Sequence, residues 1–300
     1  MEATWEGAAL VALLRERPGK RTWAEITAEV IEVGSAVAVW ESLVPATLMS
    51  VGHPEPIATA AEDISGWTRD GTRFLTVLDS DYPARLRSIH EAPPVLFTRG
   101  GLRDNDLAVS VVGSREASDR GLRIARSVAE SLVGQGISVV AGLAAGIDTA
   151  AHVAALAAGG RTVAVIGTGI NKQYPAMNRG LHFKIVERGL LMSQFWPDAP
   201  PQKHTFLMRN ATMSGYGLAT VVVEAGELSG ARAQARMAVA HGRPVVLTDL
   251  VVERNEWAKA LLGRPGVYEA ASTADVMAVV REVIDSDAAL EDRLRELVTT

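Results

Sequence analysis

The residues best equipped for chemistry in this chain are glycines, hydroxyls and arginines that follow apolar runs. Leu107-Ala-Val-Ser-Val-Val112 stops at Gly113-Ser114-Arg115. Ala141 precedes Gly142-Leu-Ala-Ala-Gly146, and the run ending at Ile166 precedes Gly167-Thr-Gly169. A fourth junction, Glu224-Ala-Gly-Glu-Leu-Ser229-Gly230, opens a segment carrying Arg232 and Arg236. Glycine lets an anion approach the backbone closely, while hydroxyls and free N–H groups donate to it. A following helix adds a partial positive end. Such junctions suit the holding of phosphate. For Gly113-Ser-Arg115 alone, a tight turn with a solvated arginine is an equal reading; four such junctions together point to an anion-binding edge.

Better-known phosphate fingerprints are missing. Neither GxxxxGK[ST] nor GxGxxG occurs, which argues against a magnesium-dependent NTPase, and Asp148 is misplaced for a ribose carboxylate. Asp148 reads instead as a residue that caps or orients its own loop. The histidines at 53, 90, 152, 182, 204 and 241 show no metal-ligand spacing, and no cofactor is expected.

The elements that position these junctions follow from periodicity. Strand candidates fall at 107–112, 137–141, 162–166, 190–192, 218–223 and 244–248, with helical patterns near 119–134, 146–158, 178–188, 205–215 and 230–241. Short apolar strands alternating with helices predict an α/β protein with a mostly parallel sheet covered on both faces. Residues 8 to about 63 read as helical, broken at Pro18-Gly19, and Phe74–Leu78 as a further strand. Pro83, Pro93 and Pro94 punctuate an extended connector ending at Gly100, and a last helix covers about 272–284. The expected organisation is a small helical domain over 1–66, a larger α/β domain over 67–285 and a charged, solvated or frayed tail over 286–300.

The formal net charge of the 300 residues is -5, yet Arg161 to Arg243 holds ten Lys/Arg against four Asp/Glu. That segment carries +6 and leaves -11 elsewhere, so local charge favours an anion where the whole molecule does not. Cysteine is absent, which excludes disulfides and thiolate metal sites and is compatible with a reducing compartment. The start, Met1-Glu-Ala-Thr-Trp5, has no basic n-region. The long apolar stretch Val139–Gly160 contains Asp148 and His152 and reads as strand, turn and buried helix. A cytoplasmic protein without membrane contact is expected.

Four stretches, "VVGSREASDRG", "AGLAAGIDTAAHVAAL", "TVAVIGTGINKQYPAMNRGLHFKIVERGLLMSQF" and "FLMRNATMSGYGLATVVVEAGELSGARAQA", resemble in order the DprA/Smf family of DNA-processing proteins. Upstream, "FLTVLDSDYPARLRSIHEAPPVLFTRG" resembles that family's lead-in, so the likeness covers about residues 67 to 248. It implies a Rossmann-like, doubly wound sheet preceded by a helix-hairpin-helix-like domain. It also implies single-stranded DNA binding without catalysis, protection of incoming strands in natural transformation, assistance to a RecA-type recombinase, and a homodimer. By motif, DNA phosphates would meet Gly113, Ser114, Arg115, Lys203, Arg209, Asn210, Ser229 and Gly230, with Gly142, Gly146, Gly167 and Gly169 completing the edge and Phe206 offering a stacking face.

The departures are specific. The family's RNR reads Arg209-Asn-Ala211, its Ser-Glu pair reads Ser193-Gln194, and Thr248–Glu253 replaces its continuation after Leu247. Arginine restored at 211 is expected to add a phosphate donor and tighten binding. Structural alternatives stand beside each role. Arg115 could pair with Glu116 or Asp119, and Arg209 with Glu224. Lys203 could simply be solvated, Phe206 packed in a core, and Tyr174-Pro175 and His152 structural. A second function class is a nucleotide sensor related to LOG-type nucleotide phosphoribohydrolases, whose Arg–Met helix and PGGxGTxxE signature align with Arg209, Met213 and Gly226–Gln234. The catalytic glutamate falls on Gln234, and an amide neither takes a proton nor meets an oxocarbenium ion with full charge. A purely structural interaction protein would leave the four glycine-rich junctions unexplained.

Overall fold

Four helices begin the chain in the computed structural model, which describes residues 4–44 and 55–298. They are α1 (Trp5–Glu16), α2 (Trp23–Val33), α3 (Ala36–Leu43) and α4 (Pro56–Trp67). Local chemistry sets their ends. Thr4 caps α1, a Thr22–Glu25 capping box opens α2, and Gly34, left-handed at φ 75°, closes it. Pro18-Gly19 produces the expected break as a short 3-10 turn. The part of the expected helical stretch on 45–54 lies outside the described residues.

The rest is built on one sheet of β1 (Arg73–Thr76), β2 (Val95–Gly100), β3 (Ala108–Gly113), β4 (Ser138–Ala141), β5 (Thr162–Val165), β6 (Leu190–Ser193), β7 (Ala219–Glu224), β8 (Val245–Thr248) and β9 (Val267–Ala270). Among the described residues its order is β1-β2-β6-β5-β4-β3-β7-β8-β9. β2 runs antiparallel to both neighbours, and every other pairing is parallel. The expected mostly parallel, doubly wound sheet is therefore present. The chain winds outward from β3 through β4, β5 and β6, then returns to lay β7, β8 and β9 on its other side. The switch point lies between β3 and β7.

Helices cover both faces: α5 (Ala84–Arg87), α6 (Asp119–Gly134), α7 (Ile147–Ala157), α8 (Arg179–Arg188), α9 (Lys203–Tyr216), α10 (Gly230–Ala240), α11 (Asp249–Arg254), α12 (Glu256–Leu262) and α13 (Thr273–Val298). Alternation in β3 shows why two layers are needed. Val109 and Val111 join a cluster with Val128 and Leu132 of α6, Ala151 of α7 and Val280 of α13. Ala108 and Val112 join a second cluster that includes Ala235 of α10 and runs on into Leu10 and Leu13 of α1. Trp23 of the N-terminal helices meets Trp196, and Trp67 meets both Phe97 and Trp196, with ring centroids 5.3–5.6 Å apart.

Several elements differ from expectation. The proline-punctuated connector holds α5 and a full strand, β2. Two short helices and an edge strand, β9, follow β8. The final helix does not stop near 284 to leave a frayed end; it continues to Val298. Among the described residues no helix is long and apolar enough to cross a membrane.

Candidate functional site

β3 and β7 lie side by side, and beyond their carboxyl ends the chain diverges, which is where open α/β sheets leave a crevice. Their register shifts between Val112 and Gly113, and Ser114 N donates to Glu224 O at 2.7 Å. A cleft of about 790 Å³ opens there. Gly113, Ser114 and Arg115 form one wall. Lys203, Phe206, Arg209 and Asn210 of α9 form another, and Ser229 and Gly230 bring the start of α10 to the third. Nine of the thirteen residues expected from the sequence thus meet in one place.

The first loop is held from behind. Ser114 Oγ accepts from Glu116 N at 3.1 Å, and Ser114 O accepts from Ile147 N at 3.1 Å. Gly146, left-handed at φ 77°, lies against the Ser114 and Arg115 carbonyls, where a Cβ would collide. Ser118 caps α6, and its N–H and hydroxyl donate to Glu224 Oε2 at 2.9 and 3.0 Å. Glu224 also faces Arg254 at 3.5 Å, so it is committed to this frame and is not the partner of Arg209.

The two arginines occupy different worlds. Arg115 is exposed, and its guanidinium lies 5.4 Å from the centroid of the Phe206 ring; among the described residues it pairs with neither Glu116 nor Asp119. Phe206 is half-buried, 5.8 Å from Tyr174, and it occupies the space where a side chain at position 167 would stand. Arg209 is 5 % exposed and lies against Gly142, with its guanidinium donating to Val165 O at 3.1 Å. Beneath it, Asp148 accepts from Gly142 N at 2.9 Å and Ala144 N at 3.3 Å, orienting its own loop as expected. Burial raises the Asp148 pKa, and the Arg209 charge opposes that rise. Burial likewise lowers that of Arg209, with Asp148 holding it up. Nearby His152 is driven down to about 3 by burial and, secondarily, by Arg209, which makes it a neutral core residue.

Other expectations are corrected. Gly142 and Gly167 line a smaller adjoining cavity of about 160 Å³ that shares Arg115 and Phe206 with the main cleft. Gly146 supports the first loop from behind. Gly169 lines neither cavity; the carbonyls of Trp196 and Pro197 crowd its backbone, so its small size serves loop packing. Ala211 is 3 % exposed inside the apolar cluster, so an arginine there would enter the core before it reached a phosphate. Lys203 is solvent-exposed in the first turn of α9. Tyr174, read from the sequence as structural, and Gln234, read there only as the place of an absent catalytic glutamate, also line the cleft. For Gln234 the signal was its place one turn past Gly230, on the same side of α10.

The family model for DNA recombination-mediator protein A matches residues 73–277. Protein Smf of Synechocystis sp. is 39% identical over 178 residues, 58% of this chain and 45% of that protein. DNA processing protein DprA of Streptococcus pneumoniae is 40% identical over 174 residues, 57% of this chain and 60% of that one. The chain spans about half the length of the curated relatives it matches. The X-ray structure of DNA processing protein A from Streptococcus pneumoniae superposes with a TM-score of 0.71 at 30% identity, covering 93% of this chain and 98% of that one. DNA processing protein A from Helicobacter pylori, described for that protein's own single-stranded DNA binding mode, superposes at 0.63 with 21% identity, over 72% of this chain and 96% of that one. At that identity the likeness is one of fold. With a family match over most of its length and a shared architecture beyond it, the chain belongs to the DNA recombination-mediator protein A family.

Proposed function

We propose that this protein holds single-stranded DNA in the cleft at the switch point and acts as a DNA-processing protein without catalysis. In this reading it protects incoming strands during natural transformation, passes them to a RecA-type recombinase and works as a homodimer in the cytoplasm. One observation carries the binding reading: exposed Arg115 and half-buried Phe206 sit together in the cleft that also receives Lys203 and the Ser229-capped start of α10. Phosphates take the cation, the serine hydroxyls and the helix end; a base takes the aromatic face, which tolerates any sequence. The +6 segment from 161 to 243 supplies a favourable field for a polyanion.

The experiment is a titration of labelled oligo-dT of several lengths against a panel of mononucleotides at two salt concentrations. Binding that tightens with strand length and weakens with salt is expected. Saturable mononucleotide binding with no affinity for any strand would replace this reading with a nucleotide sensor. Sedimentation of the free and DNA-bound protein tests the dimer.

A further inference from the structure

The +6 carried between 161 and 243 is unevenly placed on the molecule. Of its ten cations, Arg161, Lys172 and Arg232 pair with Asp106, Asp198 and Glu227. Arg209 is buried, and Arg243 donates to Arg85 O and Ser88 Oγ. Lys203 lines the cleft, and Arg236 lies on α10. The other three, Arg179, Lys184 and Arg188, are all on α8 and all exposed, and among the described residues none has an ion-pair partner. Arg179 opens that helix, whose first turn holds no acid, and a cation at that end is unfavourable to the helix itself.

Apolar side chains are exposed among these charges. Met177 is 77 % exposed and Phe183 51 %, while His182 and Ile185 on the inner side of α8 are buried. The His182 ring lies 5.7 Å from that of Phe183, and burial, with the Arg99 charge, lowers its pKa, so it adds no charge to the patch. Arg179 and Phe183 stand one turn apart on one line of the helix surface, and Lys184 and Arg188 on a second line beside it. The surface is continuous with the cleft. Tyr174 lines the cleft 5.8 Å from Phe206, and a 3-10 turn over Ala176–Asn178 leads from it into α8. Asn178 holds that junction from inside, donating to Leu143 O and Thr149 Oγ1 at 2.9 Å each.

We propose that the outer face of α8 is a second nucleic-acid surface, along which a single strand leaving the cleft past Tyr174 continues. The inference rests on the single-strand reading above. Phe183 gives a base its stacking face, and Arg179 and Lys184 take the flanking phosphates. None of these groups reads a base edge, so the surface is indifferent to sequence. An acidic protein fits less well, because cations and apolar groups alternate here and do not ring an apolar centre. The helix is about 15 Å long, and a strand advances at least about 3.4 Å per nucleotide. Some four nucleotides beyond the cleft therefore cover it.

The test uses the full chain, Phe183→Ala, and a paired variant combining Arg179→Gln with Lys184→Gln. Labelled oligo-dT of about four nucleotides, enough for the cleft alone, and of about sixteen, enough for both surfaces, is titrated against each protein. For the long strand, Phe183→Ala should weaken binding about tenfold, the scale of one stacked base, and for the short strand by less than about twofold. The paired variant should lower the log–log salt slope by about 1.4 for the long strand, the share of two phosphate contacts, and leave it unchanged for the short one. The paired variant removes no apolar surface, so its slope decides the matter should Phe183→Ala lower the thermal midpoint. Long-strand binding at the parent's affinity and slope overturns the inference, leaves the single-strand reading intact and assigns α8 to another occupant. Equal losses for both lengths overturn it too, by placing these residues in the service of the cleft. Failure of the unsubstituted protein to bind either strand overturns the single-strand reading and this inference together.

Discussion

Arg115 and Arg209 are interchangeable as letters behind apolar runs, and burial separates them. Arg115→Ala removes an exposed cation from the cleft. Single-strand affinity should fall for every sequence, and the log–log salt slope should shrink by about 0.7, the share of one single-strand phosphate contact. Its thermal midpoint should stay where it was. Arg209→Ala leaves Asp148 buried without its opposing charge and empties the space against Gly142. Urea unfolding should show a loss of about 3 kcal/mol, the range for stranding one member of a buried pair. If Arg209→Ala unfolds like the parent, its assignment to the cleft's support is wrong. Ala211→Arg belongs with it: the expected tightening gives way to a lowered midpoint, because that position faces the apolar cluster. The motif identified the right neighbourhood on α9, but helical phase decides which of three consecutive side chains faces outward, and the motif does not state the phase.

Elements with long periodic stretches were legible. α6 was read at its observed bounds of 119 and 134, because its apolar face repeats over four turns and Ser118 supplies a cap. α11 and α12, six and seven residues long, are too short for periodicity to register, and β9 sits at a sheet edge with half its side chains wet. The glycine-rich junctions were legible as a group, though not in their division of labour. Gly146 supports a loop that other residues use, so Gly146→Ala should cost about 2 kcal/mol from left-handed strain and collision. It should also weaken strand binding by displacing Ser114 and Arg115. Unaltered binding with lowered stability would separate the loop from the site. Between β4 and β5, His152 donates through Nδ1 to Thr162 Oγ1 at 2.6 Å, whose own hydroxyl bonds Val139 O. Its folded pKa of about 3 lies below the ordinary value of 6.5, so the unfolded chain binds the extra proton between them. That contribution is whole above pH 6.5 and declines as pH falls toward 3, by up to about 1.4 kcal/mol per pH unit. His152→Asn should flatten this part of the dependence in urea midpoints measured at pH 7, 6 and 5. A parallel pH profile for the variant would show that His152 is not the titrating group.

At the scale of the whole molecule, the N-terminal helices and the sheet share one apolar cluster, and Trp23, Trp67 and Trp196 report from both sides of it. Urea unfolding followed by tryptophan fluorescence and by far-ultraviolet circular dichroism should therefore give coincident transitions; two resolved steps would contradict a common core. The switch point has a consequence for the order of events during synthesis. Its two sides come from β3 and β7, so the cleft requires Gly113 and Gly230 to meet across the whole intervening chain. Until α10 has left the ribosome there is no third wall, and a nascent chain can set Arg115 against α9 alone. Competence for the ligand is thus a late event in the life of each molecule, gained when the longest loop between neighbouring strands closes.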